Sequence, residues 1–159
     1  MILTNKGLDL PISGAPSADI DSSTTINTIA ILGPDYVGLK PTMLVKEGDT
    51  VSSGQKLFED KKNPGTYITS PSSGVVESIN RGEKRRFLSI TIDVDDSIEP
   101  TKFIAADYET PVKFLVDTGA LSYFKTRPYN RIPNKEDLPN AIFINACDTN
   151  PLAIDPFYL

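Results

Sequence analysis

Between Thr28 and Val94 every apolar run is short and ends in a turn signal. Glu47-Gly48-Asp49 closes the run Thr42–Val45, and Lys61-Lys62-Asn63-Pro64-Gly65 closes Lys56–Glu59. Ser70-Pro71-Ser72-Ser73-Gly74 then separates Thr66–Thr69 from Val75–Asn80. Punctuation this dense leaves no room for long helices and predicts short strands in a small barrel or sandwich. The first strand is expected at Thr28–Leu32 and the last at Phe87–Val94. In the last, Leu88, Ile90, Ile92 and Val94 alternate with Ser89, Thr91 and Asp93, the period of a half-buried strand. Thirteen prolines and ten glycines in 159 residues carry the same restriction along the whole chain.

A weak internal repeat lies in this region. Val45-Lys46-Glu47-Gly48-Asp49 and Ile79-Asn80-Arg81-Gly82-Glu83 share a branched apolar residue, two polar residues, glycine and an acid. The repeat predicts two quasi-equivalent hairpins, each with a glycine at positive φ. With the Ser-Pro exit at Ser70-Pro71, the pattern resembles biotin- and lipoate-carrying domains, which are built from two such halves. Residues 26–96 are therefore expected to form a carrier-like barrel-sandwich hybrid, preceded by a turn-rich segment over 1–25. The carrier function itself would need a modified lysine at the hairpin tip. Lys61 and Lys62 are the candidates, but they fall on the incoming side, no methionine flanks them, and Asn63-Pro64 occupies the tip. Solvated hairpin lysines are the favoured reading.

Beyond residue 96 the pattern changes. Thr110-Pro111 reads as a helix entry, Val112, Leu115 and Val116 have helical spacing, and Gly119 reads as the stop. The string Leu115-Val116-Asp117-Thr118-Gly119-Ala120 matches an aspartic-protease loop by letters. A helix ending at Gly119 is the better reading, because that chemistry needs a strand context and a second aspartate sharing the proton. Residues 97–140 are thus expected to hold this helix and a connector rich in proline and charge. Ala141–Ala146 is β-prone and apolar, which predicts the first strand of a further domain over 141–159 and a chain that is a fragment.

Composition excludes several functions. There is no histidine and one cysteine, Cys147, so histidine-based nucleophile activation and zinc or iron–sulfur ligation lack their donors. Cys147 ends an apolar run and reads as a buried inert thiol. A net charge of −5 argues against nucleic acid as a partner. No run is long enough to span a bilayer, and no apolar signal region follows Met1, so export is not expected. Gly33-Pro34-Asp35-Tyr36-Val37-Gly38 lacks dinucleotide-binding spacing. Cations concentrate in two short segments of this acidic chain: Arg81, Lys84, Arg85 and Arg86, then Arg127 and Arg131 around Tyr129. These seven residues are the candidate partner contacts. The alternative is that the connector arginines pair with Asp93, Asp95 or Asp96.

Several ordered blocks resemble one family. They include Lys6-Gly7-Leu8-Asp9-Leu10-Pro11-Ile12, Lys40-Pro41-Thr42-Met43, Leu57-Phe58-Glu59-Asp60-Lys61-Lys62-Asn63-Pro64-Gly65, Thr126-Arg127-Pro128 and Asp148-Thr149-Asn150-Pro151-Leu152-Ala153. Together they are similar to the N-terminal part of the large hydrophilic subunit of the bacterial sodium-translocating NADH:quinone oxidoreductases. The resemblance implies a peripheral place on the cytoplasmic face of the inner membrane, with the other subunits of the complex, chiefly the membrane subunits, as partners. It implies NADH, flavin and iron–sulfur sites on other subunits, no cofactor on this segment, and quinone as a candidate further ligand. A related component of ferredoxin:NAD reductases binds iron–sulfur through cysteine clusters, a pattern from which this chain departs.

Overall fold

The computed structural model describes residues 22–145 together with Gly14, Ser17, Asp19 and Ile20. Seven strands and one α-helix lie within residues 26–138, which form one compact unit. The strands are β1 (Thr28–Leu32), β2 (Pro41–Met43), β3 (Thr50–Val51), β4 (Lys56–Asp60), β5 (Tyr67–Thr69), β6 (Gly74–Arg81) and β7 (Phe87–Val94). They make two antiparallel sheets, one ordered β1-β7-β6-β3 and the other β2-β4-β5. Six of the seven were expected from the turn signals. β3 was not, because two residues are too few to show a period.

The core forms from the inward faces of both sheets, with Val45 added from the segment between β2 and β3: Ile31, Val45, Val51, Leu57, Phe58, Ile68, Val76, Phe87, Ile90 and Ile92. Phe58 of β4 links the layers, with its ring 5.1 Å from Phe87 of β7 and 6.4 Å, edge-on, from Tyr36. Two bulges decide which side chains reach this core. In β4, Leu57 and Phe58 are consecutive yet both fully buried, because the pairing with β5 slips between Lys56 and Phe58. At the start of β7 the register passes from Arg81↔Phe87 to Asn80↔Ser89. Leu88 therefore leaves the apolar stripe predicted for it, and Phe87 turns inward in its place.

The two halves of the internal repeat differ at their glycines. Gly48 has φ 87°, as expected. Gly82 is extended, with φ −95°, and the left-handed residues of that hairpin are Lys84 and Arg85, at φ 53° and 60°. The second turn is longer, so its reversal falls two residues later. Gly33 has a steric role instead: a Cβ there would lie 2.4 Å from the Phe87 carbonyl oxygen.

The helix α1 spans Pro111–Asp117, with Thr110 accepting a bond from the Lys113 N–H as N-cap. Gly119 ends it at φ 76°. The following turn, Ala120–Tyr123, buries Leu121 and Ser122 and packs against β5, where a Cβ on Gly119 would strike Thr69. Asp117 thus sits at a helix end and not on a strand. Residues 141–145 are assigned to no strand, and the rest of the domain expected over 141–159 lies outside the described residues. Phe143 and Ile144 are exposed. Ala146 and Cys147 lie outside the described residues.

Candidate docking surfaces

The sequence-predicted contacts fall in two groups. No hydrogen bond, ion pair or ring contact joins the groups among the described residues.

The first group caps the β6–β7 hairpin. The loop Gly82–Arg86 is closed by bonds from Gly82 N–H to Arg86 O at 2.8 Å, Arg85 N–H to Gly82 O at 3.1 Å and Arg86 N–H to Glu83 O at 3.1 Å. Arg81, Lys84, Arg85 and Arg86 are all exposed. None lies within salt-bridge distance of a carboxylate of the described residues, whose ion pairs are Lys102–Glu99 and Lys113–Glu109. At the other end of β7 stand four exposed acids, Asp93, Asp95, Asp96 and Glu99. The two ends of β7 thus carry opposite charge.

The second group is a loop closed by Thr126 and Arg131. Thr126 donates from N–H and from Oγ1 to the Arg131 carbonyl, at 2.8 and 3.0 Å. The Arg127–Pro128 peptide is cis, and Asn130 is left-handed at φ 51°. Tyr129 is 74% exposed, with the Arg131 guanidinium 6.0 Å from its ring centroid. The pairing with Asp93, Asp95 or Asp96 that the alternative required is not formed. Asp93 accepts from Thr28 Oγ1, and Asp95 from the Ser97 N–H and Oγ. The Ser97 side chain, then its N–H, holds the Asp95 carboxyl below its ordinary value.

Sequence reading missed what this loop covers. Past Arg131 the chain crosses the Asp60–Gly65 tip of the β4–β5 hairpin. Ile132 packs on the core, Asn63 Nδ2 donates to Pro133 O at 3.0 Å, and the Lys135 stem lies on Gly65, as near as 3.0 Å to where a Cβ would be. Beneath it, buried Asp60 accepts from the N–H groups of Lys40 and Lys62, both at 3.0 Å, through one oxygen. Lys62 Nζ turns back to Gly38 O at 3.1 Å. The expected tip at Asn63-Pro64 is present, with Lys61 and Lys62 on the incoming side. The connector crosses the tip that would present a swinging arm at Asn63 and Gly65, while Lys61, Lys62 and Pro64 stay exposed. A proline- and charge-rich segment does not announce that it will cover a turn far from it in sequence.

Between tip and connector lies a cleft of about 220 Å³, lined by Tyr36, Gly38, Asp60, Lys62, Asn63 and Arg131 among others. Burial raises the Tyr36 phenol, with Tyr123 and Asp35 adding to the effect. Lys125 lies over the Tyr36 ring at 5.5 Å, and partial burial lowers its ammonium.

Comparison with known families decides the lineage. The model of the NqrA N-terminal barrel-sandwich hybrid domain matches residues 2–95, more than half of the chain. The chain belongs to the NqrA family. The model of the NqrA second alpha/beta domain matches residues 106–159, a stretch that takes in α1 and the connector. The curated relatives are NqrA proteins of Na(+)-translocating NADH-quinone reductases. Those of Actinobacillus pleuropneumoniae serotype 5b and Haemophilus influenzae Rd are each 48% identical over 98% of this chain. That of Glaesserella parasuis is 45% identical over the same share. The chain spans 36% of the length of each of these relatives. The NqrA barrel-sandwich hybrid is here two separate facing sheets and not a closed barrel.

Proposed function

We propose that this chain is the N-terminal part of a peripheral subunit of a sodium-translocating NADH–quinone reductase, held on the cytoplasmic face of the membrane by the other subunits. The observation that carries the reading is the 48% identity to NqrA proteins of such reductases over 98% of the chain. In this reading the segment docks and does no chemistry. NADH, flavin and iron–sulfur sites belong to other subunits, in keeping with a sequence that has no histidine and one cysteine. No helix of the described residues is long and apolar enough to cross a membrane, which agrees with a peripheral place. The cleft at Tyr36 is below the ~300–1,000 Å³ usual for ligand pockets, and no quinone contact is assigned to it.

The connector is the surface assigned to a partner within the complex. It offers an exposed tyrosine between two arginines on a loop fixed by its own hydrogen bonds, and tyrosine and arginine are the residues on which interface energy concentrates. The test is assembly. The full-length protein carrying Tyr129→Ala and Arg131→Glu, expressed with its complex, should co-purify about tenfold less at moderate salt. Unchanged recovery of the assembled complex, with the variant shown to fold, would refute the assignment.

A further inference from the structure

We propose that the β6–β7 hairpin is a contact for anionic lipid headgroups, with Arg81, Lys84, Arg85 and Arg86 as the contacting cations. The inference rests on the peripheral reading above only for its setting, because it can be tested on this chain alone.

The first observation is backbone geometry. Lys84 and Arg85 are consecutive left-handed residues, a conformation that glycine, asparagine or aspartate adopts at far lower cost. Hairpins of this kind favour Asn-Gly at such positions. Here two long cations occupy them, and no described carboxylate pairs with either. The fold gains nothing visible from their charge. Residues kept in costly conformations without an internal partner point to an external one.

The second observation is electrostatic. A chain with net charge −5 should be repelled by an anionic surface. Its acids at the far end of β7, however, are about 25 Å away, from eight strand residues at about 3.3 Å each. That exceeds the Debye length of about 8 Å at physiological salt, so those acids are screened from the hairpin; the nearer carboxylates are Glu83 in the turn and Glu47, which accepts from the Ile79 N–H. Within residues 81–86 the four cations face one carboxylate, Glu83.

The third observation selects lipid over protein. The aromatic residue of the hairpin, Phe87, is turned into the core at 7% exposure. The tip is a short convex turn with no apolar anchor of its own. Such a tip cannot supply the ~800 Å² per partner of a stable protein interface or the desolvated pocket around a hot spot. Headgroup attraction needs neither. Near an anionic membrane each basic residue contributes about fivefold in partition, equivalent to about 1 kcal/mol. Four together reach several hundredfold.

The experiment is co-sedimentation of the 159-residue chain with phosphatidylcholine vesicles, with and without about 30 mol % phosphatidylglycerol. Binding is expected to the anionic vesicles and not to the neutral ones, and to weaken as salt rises. The double variant Lys84→Gly/Arg85→Gly should bind about 30-fold less while its thermal unfolding midpoint stays equal or rises. A hairpin with a purely internal role would leave binding unchanged in that variant. Failure to bind anionic vesicles, or equal binding by the double variant, overturns the proposal. Loss of binding together with a lowered unfolding midpoint is resolved by Lys84→Asn/Arg85→Asn, which tolerates the same backbone and must also lose binding. If the wild-type chain sediments only when an acidic protein partner is added, the lipid assignment is likewise wrong. None of these outcomes bears on co-purification through Tyr129 and Arg131, so the two assignments fail separately.

Discussion

The two long hairpins of the domain reverse the chain in opposite ways. At the β4–β5 tip, Asp60 is buried, its carboxylate is spent on the N–H groups of Lys40 and Lys62, and the Lys62 ammonium bonds back to Gly38. The connector then crosses the turn at Asn63 and Gly65. At the β6–β7 tip the backbone closes by its own hydrogen bonds, and every basic side chain faces solvent unpaired by the described residues. The number of lysines and arginines in a turn therefore says little about its role. What matters is whether the fold uses their charge, and here one tip is wired inward and the other left open.

The largest effect should come from the inward tip. Asp60→Ala leaves two amide N–H groups unpaired in a part-buried turn and should destabilise the chain by about 1–2 kcal/mol in urea unfolding. Asp60→Asn keeps an acceptor oxygen and should cost clearly less. Equal losses for the two variants would mean that the charge, and not the hydrogen bonding, holds the tip.

At the open tip a smaller change of opposite sign is expected. Arg85→Gly alone relieves one left-handed residue and should stabilise by about 0.5–1 kcal/mol, read as a higher urea midpoint. A destabilised variant would show that the arginine makes an internal contact after all, and the contrast between the tips would weaken.

The smallest effect lies at the acidic end of β7. Ser97→Ala removes the Oγ donor to Asp95, so the Asp95 carboxyl should titrate closer to its ordinary value in a carbon-detected NMR titration. The sign follows from linkage. A carboxyl held low in the folded chain contributes stability above its unfolded pKa, and that contribution is lost as pH falls through the folded value. The variant should therefore lose less stability than wild type on acidification. An unmoved Asp95 would show that the Ser97 N–H alone sets it.

Much of this was legible in the sequence because it is local. Turn residues placed six of seven strands, and Thr110-Pro111 with Gly119 bounded the helix within one residue. The absence of histidine and the single cysteine limited the chemistry before any fold was known. The cation clusters were visible as clusters, and the blocks around Asp60–Gly65 pointed to the family.

What escaped the sequence depends on contacts between distant segments. Alternation predicted Leu88 on the inner stripe, but pairing with β6 forces a bulge that sends Phe87 inward. The repeat predicted equivalent glycines, but the longer second turn moved the left-handed conformation to Lys84 and Arg85. Nor could the sequence tell that a connector some seventy residues later would cross one turn at Asn63 and Gly65, where Lys62 bonds back to Gly38, while four cations at another turn would stay bare. Composition and spacing fix which charges a turn carries. Only the packing of separate segments decides which of those charges meet a partner inside the fold and which are left for a partner outside it.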